Sequence, residues 1–215
     1  MVWSCLVSIL PGMAQTEKLT DYVNPFVGTD GYGNVYPGAQ IPFGGIQISP
    51  DTDSRFYDAA SGYKYNHLTL MGFSLTHLSG TGIPDLGDFL FIPGTGEMKL
   101  EPGTHEDPDQ GYRSRYSHDK EWASPNYYAV ELADYGVKAE MTSGVRSGMF
   151  RFTYPESDNA FIMIDMNHTL WQSCEWSNLR MINDSTITGY KLVKGWGPER
   201  HVYFTATFSK KLTGL

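Results

Sequence analysis

The stretch YYAVELADYGVKAEMTSGVRSGMFRFTY, residues 127–154, decides the fold. Tyr127 to Leu132 alternates, with Tyr128, Val130 and Leu132 on one face. After the turn Asp134-Tyr135-Gly136, a second run covers Val137 to Thr142. After Ser143-Gly144, a third covers Val145 to Tyr154 and puts Phe150, Phe152 and Tyr154 together. Side chains along a strand point alternately to opposite faces, so a period of two buries one set and wets the other. Three such runs joined by short turns predict consecutive antiparallel strands.

The same signals extend outward. Upstream, strands are expected at Gly45 to Ser49, His67 to Thr76 and Asp88 to Ile92, and in part of Gly111 to Trp122, where Tyr112 and Tyr116 share a side. Downstream, Ala160 to Asp165 is a continuous apolar run. Thr186 to Val193 follows, then His201 to Phe208, where Val202, Phe204, Ala206 and Phe208 alternate. Strands recur every 8–12 residues or so with turns between them and no convincing helix, the pattern of an all-β fold. The expectation is an antiparallel β-sandwich without internal repeat, low-complexity tract or linker.

Composition bounds the function. The chain has 215 residues, long enough to bury a full core. Sixteen Lys and Arg against 24 Asp and Glu give a net charge of −8, which argues against a nucleic-acid partner, since phosphate contacts need clustered cations. Aromatic residues make up 14% of the chain, too many for a disordered protein. No stretch reaches the roughly 18 apolar residues of a membrane-spanning helix.

Residues 1–14 read as the remnant of an export signal. Trp3 to Leu10 is apolar, and Gly12-Met13-Ala14 resembles a small-x-small cleavage site before Gln15, although a basic start is missing. Cys5 would leave with the leader. Cys174 would then stand alone, a small buried hydrophobe without a disulfide partner.

Most catalytic patterns fail. Gly28, Gly31 and Gly33 lack the Gly-Lys-Ser/Thr of a phosphate loop, and His105-Glu106 lacks the second His of a zinc-binding helix. Asp51 and Asp53 lack the later ligands of a calcium loop. Asn167-His168-Thr169 and Asn183-Asp184-Ser185 are short sequon matches of the kind that arise by chance. Ser74, His77 and Asp85 invite a triad, but no nucleophile elbow surrounds Ser74, and on a strand Ser74 and His77 would face opposite ways. What remains is the polar loop THLSGTGIPDLGD, residues 76–88, beside SGYKY, residues 61–65. Its glycines allow close backbone approach, and its Asp and His groups sit near aromatic faces, a mix that suits sugar hydroxyls and C–H surfaces. A structural turn between two strands would use the same residues.

Four segments together resemble a known family. They are NPFVGTDGYGNVYPGAQIPFGGIQISPDT (24–52), SGYKYNHLTLMGFSLTHLSGTGIPDLGDFLFIP (61–93), YSHDKEWASPNYYAVEL (116–132) and GWGPERHVYFTATFSK (195–210). In this order they resemble the N-terminal domain of glycoside hydrolase family 92, calcium-dependent exo-α-mannosidases that invert the anomeric centre. The resemblance implies a β-sandwich of the supersandwich type over residues 15–215, with further strands after Leu215. It also implies a C-terminal (α/α)6 barrel, absent from this sequence, that carries the catalytic carboxylates and the calcium. No catalytic residue and no metal ligand is therefore expected here.

The expected partners are an α-mannose-containing glycan and that barrel, in a protein exported to the periplasm or outer surface of a Gram-negative bacterium. Pocket-wall contacts are expected from Tyr57, Asp58, Ser61, Tyr63, His77 and Asp85. Tyr57-Asp58 stands where members specific for α-1,2 linkages usually have Trp-Asp, which puts that linkage in doubt. Tyr32 stands where the family often has His, and its loop is expected to serve a domain interface first. The segment around His118 and Glu121 is expected to make structural hydrogen bonds. Without the barrel the chain is expected to be inactive and prone to self-association. The alternative is a free-standing carbohydrate-binding module.

Overall fold

The computed structural model describes residues 17–55 and 59–214. The expected leader and the pair Tyr57-Asp58 lie outside the described residues. In chain order the strands are β1 (Ser49–Asp51), β2 (Thr69–Leu70), β3 (Gly72–Ser74), β4 (Leu90–Thr95), β5 (Ser114–Arg115), β6 (Glu121–Ser124) and β7 (Tyr127–Leu132). They continue with β8 (Val137–Ser143), β9 (Gly148–Thr153), β10 (Ala160–Asp165), β11 (Ser173–Asn183), β12 (Thr186–Lys194) and β13 (Arg200–Thr207). Among the described residues the only helical pieces are single 3-10 turns.

Two four-stranded antiparallel sheets, β1-β3-β4-β10 and β6-β7-β8-β9, form the sandwich. The alternation of residues 127–154 sets the contact between them. Tyr128, Val130 and Leu132 from β7 and Val137, Ala139 and Met141 from β8 are buried against Ile48 and Phe73. Phe150 of β9 lies 5.1 Å from Phe91 of β4, ring centre to ring centre, and Phe152 lies 6.3 Å from Phe73. Truncating a buried ring of this kind typically costs about 3–5 kcal/mol. The third sheet, β11-β12-β13, closes on β4 from another side, with Phe204 at 4.5 Å from Phe89 and 5.9 Å from Phe91.

Several expected strands change shape for identifiable reasons. The run His67 to Thr76 splits between two sheets: β2 pairs with β5, and β3 pairs with β1 and β4. The switch passes through Gly72, where a Cβ would stand 2.8 Å from the Phe91 carbonyl oxygen. The segment Gly111 to Trp122 yields only β5 and the start of β6, because a 3-10 turn at His118–Lys120 interrupts it. β4 continues through Pro93, which pairs with Ile162 on one side. β3 meets β4 only at Phe73↔Phe91, so no ladder hydrogen bond is lost by the missing Pro93 N–H.

β11 has no counterpart among the expected strands. Register shifts between Cys174 and Trp176 and between Met181 and Asn183 break its alternation. Each β-bulge adds one residue, so the period of two is lost to the eye although the pairing survives. Cys174, on this strand, is free and half-buried.

Candidate functional site

The loops singled out by composition meet one another. Tyr65 N–H donates to the Thr29 carbonyl at 2.9 Å, and Gly80 N–H donates to the Asn34 carbonyl at 2.7 Å. The Gly-rich loop of residues 24–45 is thereby tied to both 61–67 and 76–88. Phe26, Tyr65 and His118 continue the tie as a column of rings, with Tyr65 stacked on His118 at 3.9 Å and 6°. His118 Nδ1 is 2.6 Å from Glu121, whose buried carboxylate also accepts from the Tyr63 hydroxyl at 2.9 Å and the Tyr128 hydroxyl at 2.5 Å. Burial, followed by nearby Tyr116 and Glu121, pushes the Tyr63 hydroxyl far above its ordinary pKa. Glu121 and His118 thus make structural hydrogen bonds, as their strand context implied.

The centre of the second cluster is Asp51, at the end of β1. His77 Nε2 lies 2.8 Å from Asp51 Oδ1, and His168 Nε2 lies 2.7 Å from Oδ2. Burial alone would raise the Asp51 carboxyl. The charge and hydrogen bonds of His77 and His168 outweigh it and hold the group below the usual carboxylate range. Gly62, at φ +85°, is pressed against this pair: a Cβ there would stand 2.0 Å from Asp51 Oδ1 and 3.1 Å from His77 Cδ2. The Ser-Gly-Tyr of residues 61–63 is therefore fixed by what lies beneath its glycine.

A strand-based argument would face Ser74 and His77 in opposite directions, and the structure corrects it. β3 ends at Ser74, and the following turn brings His77 Nε2 to 3.1 Å from Ser74 Oγ. The arrangement still cannot act as a triad. The carboxylate and the hydroxyl both address Nε2, while Nδ1 donates to the Gln47 carbonyl at 2.7 Å. A triad needs them on opposite ring nitrogens, with the hydroxyl open to substrate. Here Ser74, His77 and Asp51 are all buried.

From His168 the polar chain runs on to a corner of the molecule. Lys191 is buried on the inner face of β12, where its Nζ donates to the His168 carbonyl at 2.5 Å and pairs with Asp88 at 3.1 Å. Burial draws the Lys191 ammonium below its ordinary pKa. Burial would raise Asp88, but Lys191 and then Arg200 hold its carboxyl down. Asp85 caps the corner, accepting from Leu86 N–H at 2.6 Å and Trp196 N–H at 3.1 Å.

Backbone strain concentrates at this corner. Leu86, Phe89 and Trp171 all have positive φ, at 76°, 59° and 78°. Bulky residues rarely adopt that region, and such strain gathers at functional sites. Leu170 N–H donates to the Leu86 carbonyl at 3.0 Å, and Gln172 Nε2 donates to the Pro84 carbonyl at 2.8 Å. With these bonds in place, Trp171 and Trp196 remain 55% and 62% exposed. The corner thus leaves parts of two indole rings exposed beside acidic and basic groups, a mix suited to the C–H faces and hydroxyls of a sugar.

Of the expected wall residues, Ser61, Tyr63, His77 and Asp85 are all buried. Ser61 precedes Gly62 and donates to the Tyr63 carbonyl, His77 packs beneath Gly62, Tyr63 points to Glu121, and Asp85 holds the tryptophan corner. Sequence reasoning misses Asp51, His168, Lys191, Arg200, Trp171 and Trp196. One signal was legible: in the alternation of Thr186 to Lys194, Lys191 falls on the same face as Ile187 and Val193. Such a cation must find a buried partner.

Comparison with known proteins gives consistent results. The family profile described as "Glycosyl hydrolase family 92 N-terminal domain" matches residues 22–215. An uncharacterized secreted glycosidase of Arthroderma benhamiae is 30% identical over 139 residues, which is 64% of this chain and 17% of that protein. Among solved structures, the family GH92 glycosyl hydrolase ccman5 superposes with a TM-score of 0.71 and 29% identity, covering 86% of this chain and 26% of that one. A family GH92 inverting mannosidase of Bacteroides thetaiotaomicron superposes with a TM-score of 0.68 and 25% identity, covering 88% of this chain and 25% of that one. The chain therefore spans less than a fifth of the curated relative and about a quarter of each solved structure.

Proposed function

Because this chain belongs to glycosyl hydrolase family 92, as its N-terminal domain, we propose that it forms part of the pocket wall of an exo-acting, inverting α-mannosidase that removes terminal α-linked mannose from glycans. The observation that carries this reading is the loop cluster. Residues 24–45, 61–67 and 76–88 are bonded to one another, and the strained corner beside them turns Trp171 and Trp196 outward. Aromatic faces backed by a rigid polar network suit the positioning of a sugar rather than the breaking of its bond.

On this reading the chemistry lies in a second, barrel domain. Inversion needs an acid and a base about 6.5–9.5 Å apart with a water between them. The six buried carboxylates of the described residues are already committed: Asp51 to two histidines, Asp53 to Arg55 and His105, Asp85 to backbone N–H groups, Asp88 to Lys191 and Arg200, Glu121 to two tyrosines and His118, and Glu140 to Tyr127 and Arg151. Among the described residues no three His, Cys, Asp or Glu side chains gather as a metal-binding group. Calcium and the catalytic pair are accordingly assigned, within this proposal, to the partner domain. The exported location, in a periplasm or on an outer surface, is part of the same proposal and is supported by the secreted fungal relative.

The wall role is tested in the complete enzyme. Tyr57→Ala and Trp196→Ala should each raise KM for an α-mannoside by about tenfold, the loss of one aromatic contact, with kcat little changed. A collapsed kcat with KM unchanged would count against it.

A further inference from the structure

The hydrogen bonds around His77 fix how many protons its ring carries. Nδ1 lies 2.7 Å from the Gln47 carbonyl oxygen, and Nε2 lies 2.8 Å from Asp51 Oδ1. A carbonyl oxygen can only accept, and so can a carboxylate. A neutral imidazole has one N–H and one nitrogen lone pair. On a neutral His77 ring that lone pair would face an oxygen at hydrogen-bonding distance, whichever nitrogen bore the proton. A ring protonated on both nitrogens satisfies both partners.

His201 shows the contrast. Its Nε2 lies 2.9 Å from Glu199, but its Nδ1 lies 2.6 Å from the Tyr190 hydroxyl, which can donate. A neutral ring fits there. His168 meets Asp51 Oδ2 through Nε2 at 2.7 Å, and one N–H satisfies that contact too. The other neighbours of His77 leave the count unchanged. Ser74 Oγ, 3.1 Å from Nε2, can share its proton as an acceptor. The Tyr36 ring packs at 5.1 Å as a neutral phenol, its pKa raised by burial.

Burial makes the extra proton matter. Neither the His77 nor the Asp51 side chain exposes any surface. With both histidines neutral, the cluster of Asp51, His77 and His168 would hold a net negative charge away from water, which is costly. With His77 charged the cluster is neutral. Burial would raise the Asp51 carboxyl, but the charge of His77 and the bonds of both histidines hold it down, so the proton stays on the ring.

We propose that His77 is a buried imidazolium that latches together Gln47, Asp51 of β1, Ser74 at the end of β3 and the Ser61-Gly62-Tyr63 loop, which rests on the pair through Gly62. Loss of that proton at alkaline pH opens the latch, because the bare Nε2 lone pair then faces Asp51 Oδ1. The latch goes beyond the pocket-wall role and holds whether or not these loops touch a sugar.

Magic-angle-spinning NMR of the isotope-labelled full chain reads the ring nitrogens directly. The His77 signals are identified by their proximity to the Gln47 carbonyl and Asp51 carboxyl carbons. At about pH 8, where a free imidazole is largely neutral, both nitrogens should carry protons. A single protonated nitrogen would overturn the proposal. Chemical denaturation gives a second reading. A proton held by the fold and released on unfolding stabilises fully below the unfolded value, about 6.5, and less as pH rises until folded His77 loses the proton as well. From about pH 7 to about pH 8 the unfolding constant of the wild type should rise about tenfold more than that of His77→Gln. Equal changes in the two proteins would also overturn the latch, and if His77→Gln does not fold, the NMR reading decides alone. Neither measurement involves a sugar, so failure of the pocket-wall reading would leave both results standing.

Discussion

Gly62 shows how far one residue can decide a site. It combines a left-handed φ with direct contact on the Asp51 carboxylate and the His77 ring. Gly62→Ala should destabilise the chain by about 3 kcal/mol or more in chemical denaturation, since strain and displacement of a buried ion pair add. Gly80 shares the left-handed φ, but a methyl group added there would meet no atom within 4 Å, so Gly80→Ala isolates the backbone cost, about 1 kcal/mol. Equal losses at the two positions would refute the role given to the Asp51 pair. Glycine and polar density in loops drew attention to Ser61-Gly62-Tyr63, His77 and Asp85 as wall residues, and the structure places all four side chains of Ser61, Tyr63, His77 and Asp85 in buried positions. The sequence did not show Asp51 as their centre, because its second histidine lies 117 residues away. No local pattern encodes such a pairing.

Among elements, β7, β8 and β9 were legible because their burial follows a period of two, and they carry a charge clamp across their outer face. Glu140 of β8 accepts from the Tyr127 hydroxyl at 2.7 Å and from Arg151 through two bonds of 2.7 and 2.6 Å. Those bonds, Arg151 first, hold its carboxyl down to about 2. A depressed carboxylate stabilises the fold fully above its unfolded pKa, about 4.3, and loses that contribution as pH falls toward 2. The melting temperatures of wild type and Glu140→Gln should therefore differ at pH 6, by the equivalent of about 1 kcal/mol for a solvent-facing pair, and converge near pH 2. A gap that ignores pH would contradict the clamp. β11 was illegible for the opposite reason. Its two bulges shift the side-chain phase twice within eleven residues, so its pairing is real while its alternation is not.

At the scale of the whole molecule, apolar surface stays partly open. Phe152 of β9, Phe161 and Met163 of β10 and Phe204 of β13 are only half-buried, and β9, β10 and β13 are edge strands among the described residues. Open edges beside apolar faces invite pairing between chains. Sedimentation of the 215-residue chain should show concentration-dependent oligomers, and incubation with an α-linked mannobiose should release no mannose. A clean monomer, or measurable mannose, would each refute the corresponding half of the reading. Length and composition established only that a full core can be buried; how apolar residues divide over the faces is visible only in three dimensions.

The bond from Asp51 to His168 also has a consequence in time. During synthesis the chain emerges from its N-terminus, and Asp51, His77 and Gly62 are present long before His168. Until that residue arrives, a carboxylate destined for the interior has only half of its compensation, and closing so long a loop is entropically slow. The early loops should therefore stay hydrated and exchange their amide hydrogens freely until β12 brings Lys191 beneath His168. Their protection would then appear in a single late step, shared with the third sheet.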